Sequence, residues 1–137
     1  MNSMADAIYP KYKDALLTGS SDVSLVGSNV VVSFIDTDLQ FFSSSDEYYS
    51  DLDANSIIGE ASLSNTTVES GIFDAETVNV EITKNASAES LLIWINTGNT
   101  ETSRLVAWLD DSVAGLPTNP DEEFIDITWN EFGIFKL

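Results

Sequence analysis

Hydrophobic positions along this chain fall into short runs of two kinds, separated by clusters of turn-forming residues. Val30-Val31-Val32-Ser33-Phe34-Ile35 is a continuous β-branched and aromatic run, the pattern of a strand buried on both faces. Leu91 to Ile95 and Leu105 to Leu109 are of the same kind, and the polar loop Asn96 to Ser103 between them predicts a core hairpin. The second kind alternates. Thr77 to Thr83 puts Val78, Val80 and Ile82 on one face and Asn79 and Glu81 on the other, as a half-buried antiparallel strand does. Phe124 to Trp129 alternates again, and Gly133 to Leu137 predicts a last apolar strand. Ile57 to Ser64, with Gly59 placed for a bulge, and Thr66 to Phe73 supply two more.

One segment departs from strand periodicity. Over Ala5 to Thr18, the spacing of Tyr12, Ala15 and Leu16 predicts one apolar face of a helix, with Lys11, Lys13 and Asp14 turned away from it. Pro10 suits the first turn, and Gly19 is placed to stop the helix. Asp36 to Gln40 reads as a turn. Ser43 to Glu47 reads as a loop feeding one helical turn through Tyr48, Tyr49 and Leu52, with Ser45 as its cap. About seven or eight short strands with this spacing predict an all-β fold, an antiparallel sandwich, jelly roll or barrel carrying a short N-terminal helix. No linker divides the chain, so residues 1–137 are expected to form one β-rich domain with a helical segment over 1–18. The expected core is Val30, Val32, Phe34, Val78, Val80, Ile82, Leu92, Trp94, Leu105, Ala107, Ile125, Ile127 and Trp129.

Composition agrees with a folded domain: 43% of residues are hydrophobic, with 3 Trp, 7 Phe and 4 Tyr. Charge changes the picture more. Five Lys and Arg stand against 23 Asp and Glu, a net charge of −18. A phosphate backbone is bound through a basic patch, so nucleic acid is not an expected partner, and an anionic membrane surface is disfavoured on the same ground. No run approaches the ~18 apolar residues of a membrane span, and no charged stretch followed by an apolar one reads as a signal peptide. The expected location is the cytoplasm until the chain joins an assembly. The acidic balance fits a solubilising surface or a salty medium, and alternatively a basic partner or divalent cations.

Candidate chemistry is sparse. Without His or Cys the chain lacks the usual general base, pH switch, thiolate ligand and disulfide. Asp51-x-Asp53-x-Asn55 opens like a calcium loop, but Ser56 stands where such a loop has Gly and Ser62 where it has Glu. A solvated turn is favoured there over a cation site. Asp121-Glu122-Glu123 with Asp126 offers carboxylates of the type glycosidases pair, and an exposed loop is the favoured reading. Trp94, Trp108 and Trp129 lie on predicted strands, where core packing outweighs a sugar-stacking platform. Asn65-Thr66-Thr67 and Asn85-Ala86-Ser87 match the glycosylation sequon. No catalytic residue, cofactor or metal is therefore expected. The one surface singled out is the N-terminal segment, where Ile8, Tyr9, Lys11, Tyr12 and Lys13 combine apolar and basic groups in an otherwise acidic chain.

Several segments in order give the chain a resemblance: Tyr9-Pro10-Lys11-Tyr12-Lys13 with Ala15-Leu16-Leu17, the strand Val30 to Asp36, Tyr48-Tyr49-Ser50-Asp51-Leu52 and Gly71-Ile72-Phe73-Asp74-Ala75. Thr97-Gly98, Thr102-Ser103-Arg104-Leu105, Gly115-Leu116-Pro117, Ile127-Thr128-Trp129 and Gly133 to Leu137 follow. Together they resemble a family of small virion accessory proteins of tailed bacteriophages, over nearly the whole chain. The resemblance implies a non-enzymatic capsid decoration or cement protein, present in several copies as a homo-oligomer and contacting the major capsid protein or other virion proteins. It implies location in the virion after assembly in the host cytoplasm. A tail, neck or baseplate component is the alternative, and a carbohydrate-binding module is the rival of another class. The chain departs from the family pattern in its acidity and in Asp121-Glu122-Glu123 after Pro120, where a Gly-rich turn is expected.

Overall fold

A computed structural model describes residues 7–21, 23–83, 90–109, 124–127, 129 and 133–136. Its centre is a five-stranded antiparallel sheet in the order β1-β8-β7-β2-β3. The strands are β1 (Ala7–Ile8), β2 (Val30–Ile35), β3 (Ile57–Ser62), β7 (Ser90–Ile95) and β8 (Leu105–Leu109). Every residue of β2, β7 and β8 is buried, as their continuous apolar runs require. Cross-strand partners share a face, so the register puts Val31, Ser33, Leu92, Trp94 and Trp108 on one side. Val32, Phe34, Leu91, Ile93 and Ala107 lie on the other. The segment after β2 crosses the first side: the Phe42 ring meets Trp108 edge-on at 6.3 Å, and Tyr49 stacks on Trp94. The predicted hairpin of β7 and β8 is present, with a register shift between Ile93 and Trp94.

Two further antiparallel sheets complete the described fold. One has the order β10-β5-β4, from β10 (Phe135–Lys136), β5 (Ile72–Asp74) and β4 (Thr67–Glu69). The other pairs β6 (Val78–Glu81) with β9 (Phe124–Ile127). It joins the central sheet through a bridge between Gly59 and Ile82, with the Thr83 amide donating to the Ile58 carbonyl at 2.8 Å. The expected bulge falls beside Gly59. Phe34 faces Gly59 and Ile35 faces Ile57, which leaves Ile58 as the extra residue. A side chain at Gly59 would put Cβ 2.5 Å from the Glu81 carbonyl oxygen, so the bare backbone is what lets β6 approach β3.

Three expectations are corrected. Thr66 to Phe73 is not one strand but the hairpin β4–β5. Ser70 (φ 52°) and Gly71 (φ 77°) both take left-handed conformations, as a two-residue hairpin turn of this hand demands. The helix is shorter than expected. α1 spans Pro10–Leu17, because Ala7 and Ile8 pair with Trp108 and Ala107 instead of continuing it. It ends as predicted: the Gly19 amide donates to Leu16 O at 3.3 Å and the Ser20 amide to Ala15 O at 3.0 Å, a Schellman closure. Finally, Ser45 does not cap the turn at Tyr49–Asp51. The Asp51 carboxylate does so by accepting the Glu47 and Tyr48 amides, each at 2.9 Å.

Of the expected core residues, ten are buried, while Val78, Ile82 and Trp129 are half-buried against the same cluster. The core also takes in Tyr9, Tyr12, Ile58, Phe73, Trp108 and Ile134.

Candidate functional site

The N-terminal segment divides into a buried and an outer half. Tyr9 follows β1, donates its amide to Val106 O at 2.9 Å and is fully buried, its ring 4.9 Å from Phe42. Tyr12 and Ala15 form the inward face of α1, and the Tyr12 hydroxyl donates to Val23 O at 2.6 Å. Burial pushes the Tyr12 hydroxyl up to about 12. Tyr9 and Tyr12 therefore serve the chain's own core and are not part of its surface. The outer half keeps Lys11 and Lys13 exposed and Ile8 half-buried from the predicted set, and adds Leu16, half-buried, and Leu17, exposed.

These outer residues line two different depressions. Ile8, Lys13, Leu16, Leu17 and Lys136 surround an open, largely apolar groove of about 340 Å³ between β1, α1 and β10. Leu17 is 86% exposed beside it. Lys136 joins only through the fold, since nothing in the sequence links it to Lys13. Lys11 lies on the other side of the helix, in a polar depression with Asp14, Thr18, Glu47 and Arg104. There Arg104 pairs with Glu47 at 3.3 Å, and its guanidinium carbon sits 5.3 Å from the Tyr48 ring centroid.

Next to the buried tyrosines, the Tyr9 hydroxyl and one Asp46 carboxylate oxygen are both buried without a hydrogen-bond partner among the described residues. Burial, and then the charge of Asp46, raise the Tyr9 hydroxyl further above its ordinary value. Burial, and then the charge of Asp51, raise Asp46.

A hydrogen-bonded chain crosses β7, β2 and β3. Trp94 Nε1 donates to Ser33 Oγ at 2.8 Å, Ser33 Oγ donates to Glu60 Oε2 at 2.7 Å, and the Tyr49 hydroxyl donates to the same oxygen at 2.6 Å. Burial, with the hydrogen bond to Glu60, raises the Tyr49 hydroxyl. This chain went unseen in the sequence because it needs the register of three strands.

The other candidates separate. Asp51 caps backbone amides, and Asp53 Oδ1 accepts the Asn55 amide at 2.9 Å, so both carboxylates fasten turns. No cluster of three or more acidic residues suited to a metal occurs among the described residues. Trp94 and Trp108 are buried and offer no ring to a sugar, while Trp129 is half-buried and donates Nε1 to Glu76 O at 3.1 Å. Asp126 accepts from Asn79 at 2.8 Å, whereas Asp121, Glu122 and Glu123 lie outside the described residues, as does the sequon at Asn85. Among the described residues no helix is long and apolar enough to cross a membrane. No protein-family profile matches the chain, and no curated protein matches it in sequence.

Proposed function

We propose that the chain is a non-enzymatic structural component of a tailed-phage virion, a capsid decoration or cement protein carried in several copies on the major capsid protein. The observation that carries this reading is where the apolar residues go. Both sides of the central sheet are consumed in packing, and apolar surface is left over at the α1 groove with its lysines. An exposed apolar surface of this kind suits contact with another protein. The absence of His and Cys and the resemblance in order of segments support the same reading. The sandwich or jelly-roll architecture belongs to this proposal too, supported by a five-stranded sheet with a separate three-stranded one. A tail, neck or baseplate component is the alternative within the class.

Adding the purified protein to particles that lack it tests the reading. Saturable co-sedimentation with full heads, absent with isolated tails, is the expected result. Binding to tails alone transfers the chain to the alternative, and binding to neither rejects a virion role.

A further inference from the structure

The groove beside α1 has a counterpart on the same molecule. Asp36-Thr37-Asp38-Leu39-Gln40-Phe41 leaves β2 as a turn on which Leu39 is 43% and Phe41 71% exposed. Their exposure is built in. The Leu39 and Gln40 amides donate to Asp36 O at 3.1 and 3.2 Å. The Gln40 side chain accepts the Asp53 amide at 2.7 Å and donates to Phe41 O at 2.9 Å. Phe42, the next residue, is held on Tyr9 and Trp108, which leaves Phe41 outside the core. A framed loop presenting an aromatic and an aliphatic side chain loses little conformational freedom on docking.

We propose that this loop is the ligand of the groove: Leu39 and Phe41 of one copy enter the space between Ile8, Leu16 and Leu17 of a second copy. The carboxylates of Asp36 and Asp38 then face Lys13 and Lys136. Charge complementarity favours this pairing, and Phe41 is the most exposed aromatic side chain among the described residues. In a chain of net charge −18 with five basic residues, two of those five rim one apolar groove. The exposed loop that carries Phe41 is acidic. The contact is not made within one molecule, since Phe41 and Leu17 are both largely exposed there. The two surfaces differ, so the contact either repeats head to tail or is exchanged reciprocally between two copies. It concerns contact between copies and stands whether or not the chain is carried on a virion.

The like charges of whole copies oppose association, so the test is sedimentation over a concentration series at ~0.15 M salt, where long-range repulsion is screened beyond about 8 Å. Wild type should associate with rising concentration. Leu17→Ser removes the groove wall and Phe41→Ser the inserted ring. Both positions are exposed, so both variants should fold, which a thermal melt checks. Each alone should weaken association by roughly tenfold or more. An equimolar mixture should recover a dimer, because one copy keeps the groove and the other keeps the loop. Wild type that stays monomeric throughout overturns the proposal. So does association lost with Leu17→Ser but kept with Phe41→Ser, which would leave the groove to another occupant.

Discussion

The ring of Tyr49 lies on the indole of Trp94, with centroids 4.0 Å apart and planes 28° from parallel, and both side chains hydrogen-bond toward Glu60. Tyr49 reaches its carboxylate directly and Trp94 reaches it through Ser33. The stack thus ties the turn at Tyr49–Asp51 to the Trp94 side of β7, and the shared acceptor fixes where that turn sits over β2 and β3.

Ser33→Ala should cost about 1–3 kcal/mol, because it strands the buried Trp94 N–H without an acceptor. In a Trp94→Phe background the same substitution should cost clearly less, since no donor is left to strand. Chemical denaturation of the two single variants and the double variant measures the coupling. Strict additivity would show that the hydrogen bond from Trp94 to Ser33 does not contribute to stability.

Gly59→Ala should destabilise by about 1–3 kcal/mol, as overpacking does, by driving Cβ against the Glu81 carbonyl. The damage should appear first as faster hydrogen exchange at Thr83, whose amide bonds Ile58 across this junction. Unchanged exchange and unchanged melting would mean that β6 does not approach β3 so closely.

How far the strands were legible follows the strength of their patterns. The run Val30 to Ile35 and the pair Leu91–Ile95 and Leu105–Leu109 needed only hydrophobicity, because strands buried on both sides tolerate little else. Alternation was enough for β6 and β9. Thr66 to Phe73 misled because Val68, Ile72 and Phe73 suit strands whether or not a turn divides them, and Ser70-Gly71 is a weaker turn signal than Asn-Gly. In the candidate site, the basic and apolar character of Ile8, Lys11 and Lys13 was legible. The burial of Tyr9 and Tyr12 was not, since it depends on β1 pairing with β8 and on Phe42. The arrival of Lys136 beside Lys13 depends on the position of β10, which no local pattern encodes.

Asp46 gives the fold an acid-side pH dependence. Burial raises its folded-state pKa above the ordinary 3.8, so the folded chain holds the proton more tightly than the unfolded one. The stability this group contributes is complete below about 3.8 and is lost as pH rises through the raised value. Asp46→Asn, which cannot ionise, should therefore be more stable than wild type at neutral pH, with the difference shrinking toward acid. Thermal melts across that range check it. A variant less stable than wild type at pH 7 would mean that the ionised carboxylate has a partner that stabilises it.

The virion reading meets its most direct test in the copy number of this chain in purified particles, measured by quantitative mass spectrometry against the major capsid protein. A fixed, many-copy ratio that survives repeated salt washing is the predicted result. Its absence, or a trace amount that washes away, would contradict the account.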